Sequence, residues 1–150
     1  MRRWVRTTEV LFVCAAGNDS RSTEFYPAAF AVDFPDRVVS VGAYDHRRTP
    51  PGAATFSNYG TWITAWAPGV DVVADYPDPI RFDYGGARGG VVDVTHAGTT
   101  EWSGTSFAAP FAAAEILRYA ADQTGGDPVE AWRQIKADRP FVVFAPDWLS

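Results

Sequence analysis

The apolar positions along the chain predict strands in the first two thirds and helices in the last third. Residues 10–16 (VLFVCAA) are a continuous apolar run of strand length, typical of a strand buried on both faces of a parallel sheet. The turn residues that follow, Gly17-Asn18-Asp19-Ser20, end this strand. Similar runs predict further strands at residues 38–43, 62–67, 70–74 and 91–95. Gly85–Gly90 is glycine-rich and predicts a hairpin tip or a mobile loop.

Two helices are predicted near the C-terminus. Residues 107–121 are rich in alanine and apolar around the whole helix circumference, which is typical of a buried helix. Gly125-Gly126 ends that helix. Asp127-Pro128 then supplies an N-cap and a first-turn proline for a second helix, from Val129 to about Ala137.

Composition narrows the classes of protein that fit. The chain has 150 residues, of which 47% are apolar and 21% charged, and this excludes a disordered segment and a membrane protein. The length indicates one domain. The net charge is -5 and basic residues occur only in short pairs such as Arg47-Arg48, which argues against a nucleic-acid partner. A single cysteine, Cys14, excludes an internal disulfide framework and a multi-cysteine zinc site.

The strongest chemical signal is the segment SGTSFAAP at residues 103–110. Ser106 stands at the start of the predicted buried helix, where free N–H groups and a partial positive charge would help the oxyanion that forms in acyl transfer. Taken alone, a serine at this place is more often an N-cap. Asn18 follows the first predicted strand, where open α/β sheets place their ligands, and its side-chain N–H is a good donor to an oxyanion. The simpler interpretation of Asn18 is a Gly-Asn turn.

Five motifs occur in an order that is typical of one family. They are AAGN at residues 15–18, VSVGA at 39–43, ATFSNYG at 54–60, APGV at 67–70 and GTSFAAP at 104–110. Over about residues 5–125 the chain resembles the C-terminal half of the catalytic domain of a subtilisin-like serine protease (subtilase, peptidase S8 family). The resemblance implies a three-layer α/β fold, a mostly parallel sheet with helices on both faces, incomplete at its N-terminal side. It also implies that residues 1–150 are the C-terminal portion of a single catalytic domain.

The resemblance implies a serine endopeptidase that acts through an acyl-enzyme on an extended peptide. Ser106 matches the nucleophile of the family, and Asn18 matches its oxyanion-hole asparagine, with the Ser106 amide as second donor. Ala15-Ala16-Gly17 resembles one wall of the primary specificity pocket. Tyr26-Pro27 resembles a step of the family below that pocket, where the peptide bond is typically cis.

The partners of the nucleophile are missing from the sequence. The subtilase triad runs in the chain order Asp, His, Ser, yet the 17 residues before Asn18 contain neither Asp nor His. His46 lies in a charged loop, and His96 is interpreted as a polar residue at a strand end rather than a substitute base. We therefore expect the chain alone to be inactive, with the N-terminal half supplied in cis or in trans. A truncated product whose start codon lies inside a helix explains the sequence best. A non-catalytic remnant that serves as a binding or structural module, and one half of a split enzyme, remain open.

No cofactor is required by this chemistry. The family often holds cations near the Tyr-Pro step, and this chain has acidic residues there. These are Asp19, Glu24, Asp33 and Asp36. No ligand motif supports a structural calcium ion, so these residues are interpreted as solvated loop charges. The resemblance also implies a secreted, extracellular protein, although the sequence shows no signal peptide and no membrane span.

Overall fold

A computed structural model describes residues 1–85, 91–137 and 142–144, with residues 76–85 and 91–97 described by their backbone alone. It divides into two compact units. The first comprises Met1–Val70 and Gly104–Ser150, and the second comprises Asp71–Ser103. Each unit is described below by itself.

Most strands precede the two long helices, as the sequence predicts. In chain order they are α1 (Arg2–Thr7), β1 (Phe12–Ala15), a 3-10 turn (Ala28–Ala31), β2 (Val38–Asp45), β3 (Gly52–Ala53), β4 (Ala65–Pro68), β5 (Val72–Gly85), β6 (Val91–Trp102), α2 (Thr105–Gln123), α3 (Pro128–Ala137) and β7 (Val142–Val143).

The sheet of the first unit is mostly parallel, which confirms the predicted fold class. In the described part of the chain its strand order is β1-β2-β4-β7, and each neighbouring pair is parallel. The short strand β3 pairs antiparallel with β2. Because parallel strands end at the same edge of a sheet, the segments that follow β1 and β4 are brought to one side. Asn18 lies in the first of these segments, and the second precedes the hairpin that leads to α2.

Helix α2 covers one face of this sheet. Val39, Val41 and Ala43 of β2 are fully buried against it. Small residues on the inner side of the helix, among them Ala108 and Ala112, are fully buried too and let the helix axis approach the strands. Burial of each valine side chain contributes about 1.5–3 kcal/mol to folding.

The opposite face of the sheet is covered by α1 and the 3-10 turn. Val38, the neighbour of Val39, is buried there in a cluster with Val5 of α1 and Ala31 of the turn. Arg2 of α1 lies over the ring of Phe30, 5.0 Å from its centroid. Helical elements therefore lie on both faces, as predicted. None of the helices in the described ranges is both long and apolar enough to cross a membrane.

Strand β1 differs from its prediction in length and burial. It begins at Phe12 rather than Val10, and its residues are half-buried rather than buried on both faces. The physical reason is its place at the edge of the described sheet, where only β2 pairs with it. Val10, just before the strand, is 53% exposed.

The predicted strand at residues 62–67 is β4, which starts later, at Ala65. Trp62 lies in a turn, where its ring is buried and its Nε1–H donates to the Ser22 carbonyl at 3.0 Å. Packing and one hydrogen bond therefore hold Trp62 in place, and strand pairing does not.

The second unit is an antiparallel hairpin of β5 and β6. The sequence predicts only short strands at residues 70–74 and 91–95, yet the ladder runs from the pair Val72–Trp102 to the pair Gly85–Val91. Its register shifts between Tyr76 and Ile80, a stretch with two prolines, which have no N–H for the ladder. Of the predicted hairpin tip, residues 86–90 lie outside the described residues.

Candidate active site

Ser106 is the second residue of α2, and the N-cap of that helix is Gly104. Its side chain is exposed and makes no capping hydrogen bond, so the interpretation of Ser106 as an N-cap is wrong. In this first turn the Phe107 N–H donates to the Gly104 carbonyl at 3.1 Å, whereas the Ser106 N–H has no acceptor among the described residues. The structure thus presents a serine hydroxyl at the positive end of a helix dipole.

The start of the helix is fixed to the sheet through two glycines. The Gly104 N–H donates to the Gly69 carbonyl at 2.8 Å, in the segment after β4. A Cβ on Gly69 would lie 2.8 Å from the Cβ of Ala43 and 2.9 Å from the Gly104 oxygen. Only glycine allows this close approach, and the position of Ser106 relative to the sheet edge depends on it.

The side-chain amide of Asn18 is held in one orientation by Thr105. The Thr105 N–H and the Thr105 hydroxyl both donate to Asn18 Oδ1, each at 2.9 Å. The Gly17 N–H donates to Thr105 Oγ1 at 3.0 Å. A backbone N–H can only donate, so it selects the oxygen of the amide and leaves Nδ2 as the outer, donating end. Thr105 is 1% exposed, and the sequence predicted no role for it beyond its place in the motif.

Ser106 and Asn18 flank the same small space beside Gly104. A Cβ on Gly104 would lie 3.2 Å from Ser106 Oγ and 3.3 Å from Asn18 Nδ2. Because glycine has no side chain, that space is open. A nucleophile and a hydrogen-bond donor thus lie about 3 Å from one point, which is the geometry an attacked carbonyl group needs. The structure brings together the two residues that the sequence singled out.

The residues predicted as a specificity-pocket wall are placed unequally. Ala16 is fully buried in a cluster with Ala28 and Trp62, whereas Ala15 and Gly17 are half-buried. Ala16 is therefore part of the core, and both its N–H and its carbonyl are already hydrogen-bonded within the chain. The wall stays a prediction.

The segment after the loop agrees with the resemblance in one detail. The Tyr26–Pro27 peptide bond is cis, as the resemblance implies. The ring of Phe25 contacts the open side of Gly17, 3.3 Å from where a Cβ would stand.

No general base reaches Ser106 in the part of the chain whose side chains are described. No hydrogen bond there joins Ser106 Oγ to another side chain. His46 is half-buried just after the end of β2. His96 lies on β6 with its backbone opposite Ile80, and its side chain is outside the described residues.

Two of the four acidic residues near the Tyr-Pro step pair with cations. Asp33 pairs with Arg2 at 2.9 Å. The Lys136 ammonium donates to Asp36 and holds the pKa of that carboxyl below its ordinary value. Glu24 accepts a hydrogen bond from the Tyr26 hydroxyl at 2.8 Å. Among the described side chains, no group of three or more His, Cys, Asp or Glu residues is arranged to hold a metal ion.

Cys14 lies in β1 and is half-buried. Burial raises the pKa of its thiol, so the thiol is protonated at neutral pH. A protonated thiol is a poor nucleophile. Ser106 therefore remains the nucleophile candidate of this site.

Comparison with known proteins decides the family. The model of the subtilase family, Peptidase_S8, matches residues 3–137. The chain belongs to the subtilase family. A thermophilic serine proteinase from Bacillus sp. (strain AK1) is 47% identical over 62 residues, covering 41% of this chain. Halolysin from Haloferax mediterranei is 34% identical over 100 residues, covering 67% of this chain.

Solved structures agree with this assignment. The structure of the patellamide maturation protease PatA superposes with a TM-score of 0.60 at 29% identity and covers 87% of this chain. The present subtilase chain is short beside these proteins. It spans 14% of the thermophilic proteinase, 14% of halolysin and 41% of the PatA chain.

Proposed function

We propose that residues 1–150 are the C-terminal portion of a single subtilase catalytic domain and carry the nucleophile and the oxyanion hole of a serine endopeptidase. The observation that supports this most directly is the open space beside Gly104, flanked by Ser106 Oγ and Asn18 Nδ2. Family membership gives the reaction class, hydrolysis of a peptide bond in an extended segment of polypeptide.

The chemistry proceeds in two halves. Ser106 Oγ attacks the scissile carbonyl carbon while a histidine supplied from outside this sequence takes the hydroxyl proton. The negative oxygen receives hydrogen bonds from Asn18 Nδ2 and the Ser106 N–H. Collapse breaks the carbon–nitrogen bond, and the histidine returns the proton to the leaving amine. Water, deprotonated by the same histidine, then hydrolyses the Ser106 ester.

The edge of the sheet at β1 is where we propose that the remaining half of the catalytic domain docks. Strand β1 pairs with β2 alone in the described sheet. A groove of about 300 Å³ lies beside it, lined by Val10, Leu11 and Val13 and by residues of α2 that include Leu117. Leu117 is 57% exposed. A further parallel strand, in cis or in trans, would pair with this edge and cover the groove, and we propose that its chain carries the triad Asp and His.

The proposed reaction uses only protein groups, namely a hydroxyl, an imidazole and amide donors. We therefore propose that it needs no cofactor. We also propose an extracellular place of action, which follows from the family alone. Activity in the culture medium rather than in the cell fraction would support it.

The proposal is tested by supplying the missing groups. The added part comes from the catalytic domain of the thermophilic serine proteinase. It is the segment that precedes the 62 residues similar to this chain, and it is fused to residues 1–150 or co-expressed with them. We expect hydrolysis of a peptide substrate by the pair and none by residues 1–150 alone. The matched control changes the histidine of the added part to alanine, which removes the base and nothing of this chain. A pair that co-elutes and folds cooperatively but stays inactive would contradict the proposal and favour a non-catalytic remnant.

A methyl group at position 104 tests the geometry of the proposed oxyanion hole. In the assembled enzyme we expect Gly104→Ala to lower kcat/KM by about tenfold or more, because the methyl occupies the space for the attacked carbonyl. The backbone should tolerate alanine, since Gly104 has an extended φ of 165°. The methyl would press on Ser106 Oγ and Asn18 Nδ2, so the unfolding temperature is measured on the same preparation to separate lost geometry from lost stability. Full activity of this variant would place the attacked carbonyl elsewhere.

A further inference from the structure

The loop that carries Asn18 is fastened to a distant segment by one buried side chain. Asn58 is 2% exposed. Its Nδ2 donates to the Ala16 carbonyl at 2.9 Å, and its Oδ1 accepts from the N–H groups of Asp19 at 3.0 Å and Arg21 at 3.2 Å. The Asn58 N–H donates to the Gly17 carbonyl at 2.9 Å. Asn58 thus holds the backbone on both sides of Asn18.

This loop needs such support because its backbone is strained. Gly17 has a φ of 99° and Ser20 a φ of 53°, both in the left-handed region. For a residue such as serine this conformation persists only when the surroundings impose it. A Cβ on Gly17 would lie 2.5 Å from Asn58 Nδ2, so glycine at 17 and asparagine at 58 fit each other closely.

Asn58 and Thr105 support Asn18 in different ways. Thr105 fixes which end of the Asn18 side-chain amide donates, through bonds to Oδ1. Asn58 does not bond to that side chain. Its hydrogen bonds fix the backbone from which the side chain projects, and hence the distance of Nδ2 from the space beside Gly104.

We propose that Asn58 is a positioning residue of the oxyanion hole, which acts by fixing the backbone of the loop that carries Asn18. The proposal rests on the proposed function of Asn18. An oxyanion donor acts only if it is already in place when charge develops, so a loosened loop should lower kcat and leave KM nearly unchanged. A displacement of about 1 Å is enough to lower the rate by up to about 10²-fold. We expect a 10- to 100-fold fall in kcat for Asn58→Ala.

The first arm of the test needs no activity. Amide hydrogen exchange is measured on residues 1–150 carrying Asn58→Ala, with Thr64→Val as the matched control. Thr64 Oγ1 accepts from the Ser40 N–H at 3.0 Å, so its variant also loses a hydrogen bond between a side chain and the backbone, but outside the loop. The amides of Asp19 and Arg21 should exchange at least tenfold faster in Asn58→Ala alone. Unchanged protection of these two amides would contradict the proposal that Asn58 fixes the backbone of the loop.

The second arm uses the assembled enzyme and a double-mutant cycle. If Asn58 acts through Asn18, Asn58→Ala should cost little kcat in a chain that already carries Asn18→Ala. A merely structural role would instead lower the activity of both backgrounds by the same factor, and that result would overturn the proposal. Asn58→Ser brings in no buried charge and keeps a hydroxyl in place of the amide, so it serves if the alanine variant fails to fold, and it should also show faster exchange of the Asp19 and Arg21 amides and a lower kcat. If the assembled enzyme has no activity, the proposed function is contradicted and the role of Asn58 is not. The hydrogen-exchange experiment still tests whether Asn58 fixes the loop.

Discussion

Ser106→Ala is expected to abolish peptide hydrolysis by the assembled enzyme and to leave its fold unchanged. The hydroxyl oxygen is the atom that forms the acyl ester, and no neighbouring side chain can replace it. Loss of the nucleophile from a subtilisin lowers kcat by about 2 × 10⁶, and the same order is expected here. The side chain is exposed, so the free energy of unfolding should change by no more than about 0.5 kcal/mol. Steady-state kinetics and thermal unfolding of the same preparation measure both quantities.

A matched control separates the nucleophile from the general effect of losing a hydroxyl. Ser22 is also exposed, on the loop that follows Asn18, and has no part in the proposed chemistry. Ser22→Ala should retain nearly all activity. Activity of Ser106→Ala close to that of Ser22→Ala would show that another residue is the nucleophile.

Asn18→Ala is expected to have the second largest effect, a fall in kcat of about 10²–10³ with KM changed less than about threefold. That magnitude is the one known for the oxyanion-hole asparagine of subtilisin, and it is carried over because we propose the same role for Asn18. The donor acts on the charge of the transition state, which the ground-state carbonyl has not developed, so kcat falls and KM does not. Initial rates over a range of peptide concentrations separate the two constants.

Asn18→Asp is the isosteric companion of that variant. It keeps an oxygen to accept from the two donors of Thr105, and it replaces the Nδ2 donor by a second acceptor. Because that second acceptor is a carboxylate oxygen facing the developing oxyanion, kcat should fall at least as far as in Asn18→Ala, and a smaller fall would show that Nδ2 is not the donor. A rise in KM with kcat held would instead make Asn18 a substrate-binding residue.

The two central residues of the site could be predicted from the sequence because each stands at a place that local patterns define. Asn18 follows an apolar strand-length run, and Ser106 follows Gly-Thr at the head of an alanine-rich helix. In a parallel sheet such places meet at one edge, and the family resemblance said which chemistry to expect there. The structure adds the space beside Gly104 and its two distances.

Asn58 and Thr105 could not be predicted in their roles. Their hydrogen bonds join segments that are far apart in the sequence, and neither residue interrupts a hydrophobic pattern. In the sequence Asn58 is one member of the ATFSNYG motif, to which the sequence alone assigns no role. Its proposed role depends on its burial against the loop in which Gly17 and Ser20 have positive φ, and only the tertiary structure shows that contact.

The lengths of strands were the least predictable feature. The apolar run at residues 10–16 is longer than the segment that pairs with β2, which covers residues 12–15. In β5 the opposite occurs, since residues 76–79 (YPDP) resemble a turn, while antiparallel pairing resumes at Ile80. Partner strands, rather than local propensity, set both limits.

The central claim, that Ser106 is a nucleophile whose base lies outside this sequence, is tested most directly by a fluorophosphonate probe. The probe phosphonylates an activated serine with loss of fluoride, and mass spectrometry of peptides locates the adduct. We expect no appreciable labelling of residues 1–150 alone, because a serine hydroxyl without a base is a weak nucleophile. Labelling at Ser106 should become stoichiometric when the segment with the triad Asp and His is added. Stoichiometric labelling of Ser106 in the unassisted chain would contradict the claim and point to a base within it, with His96 the first residue to replace.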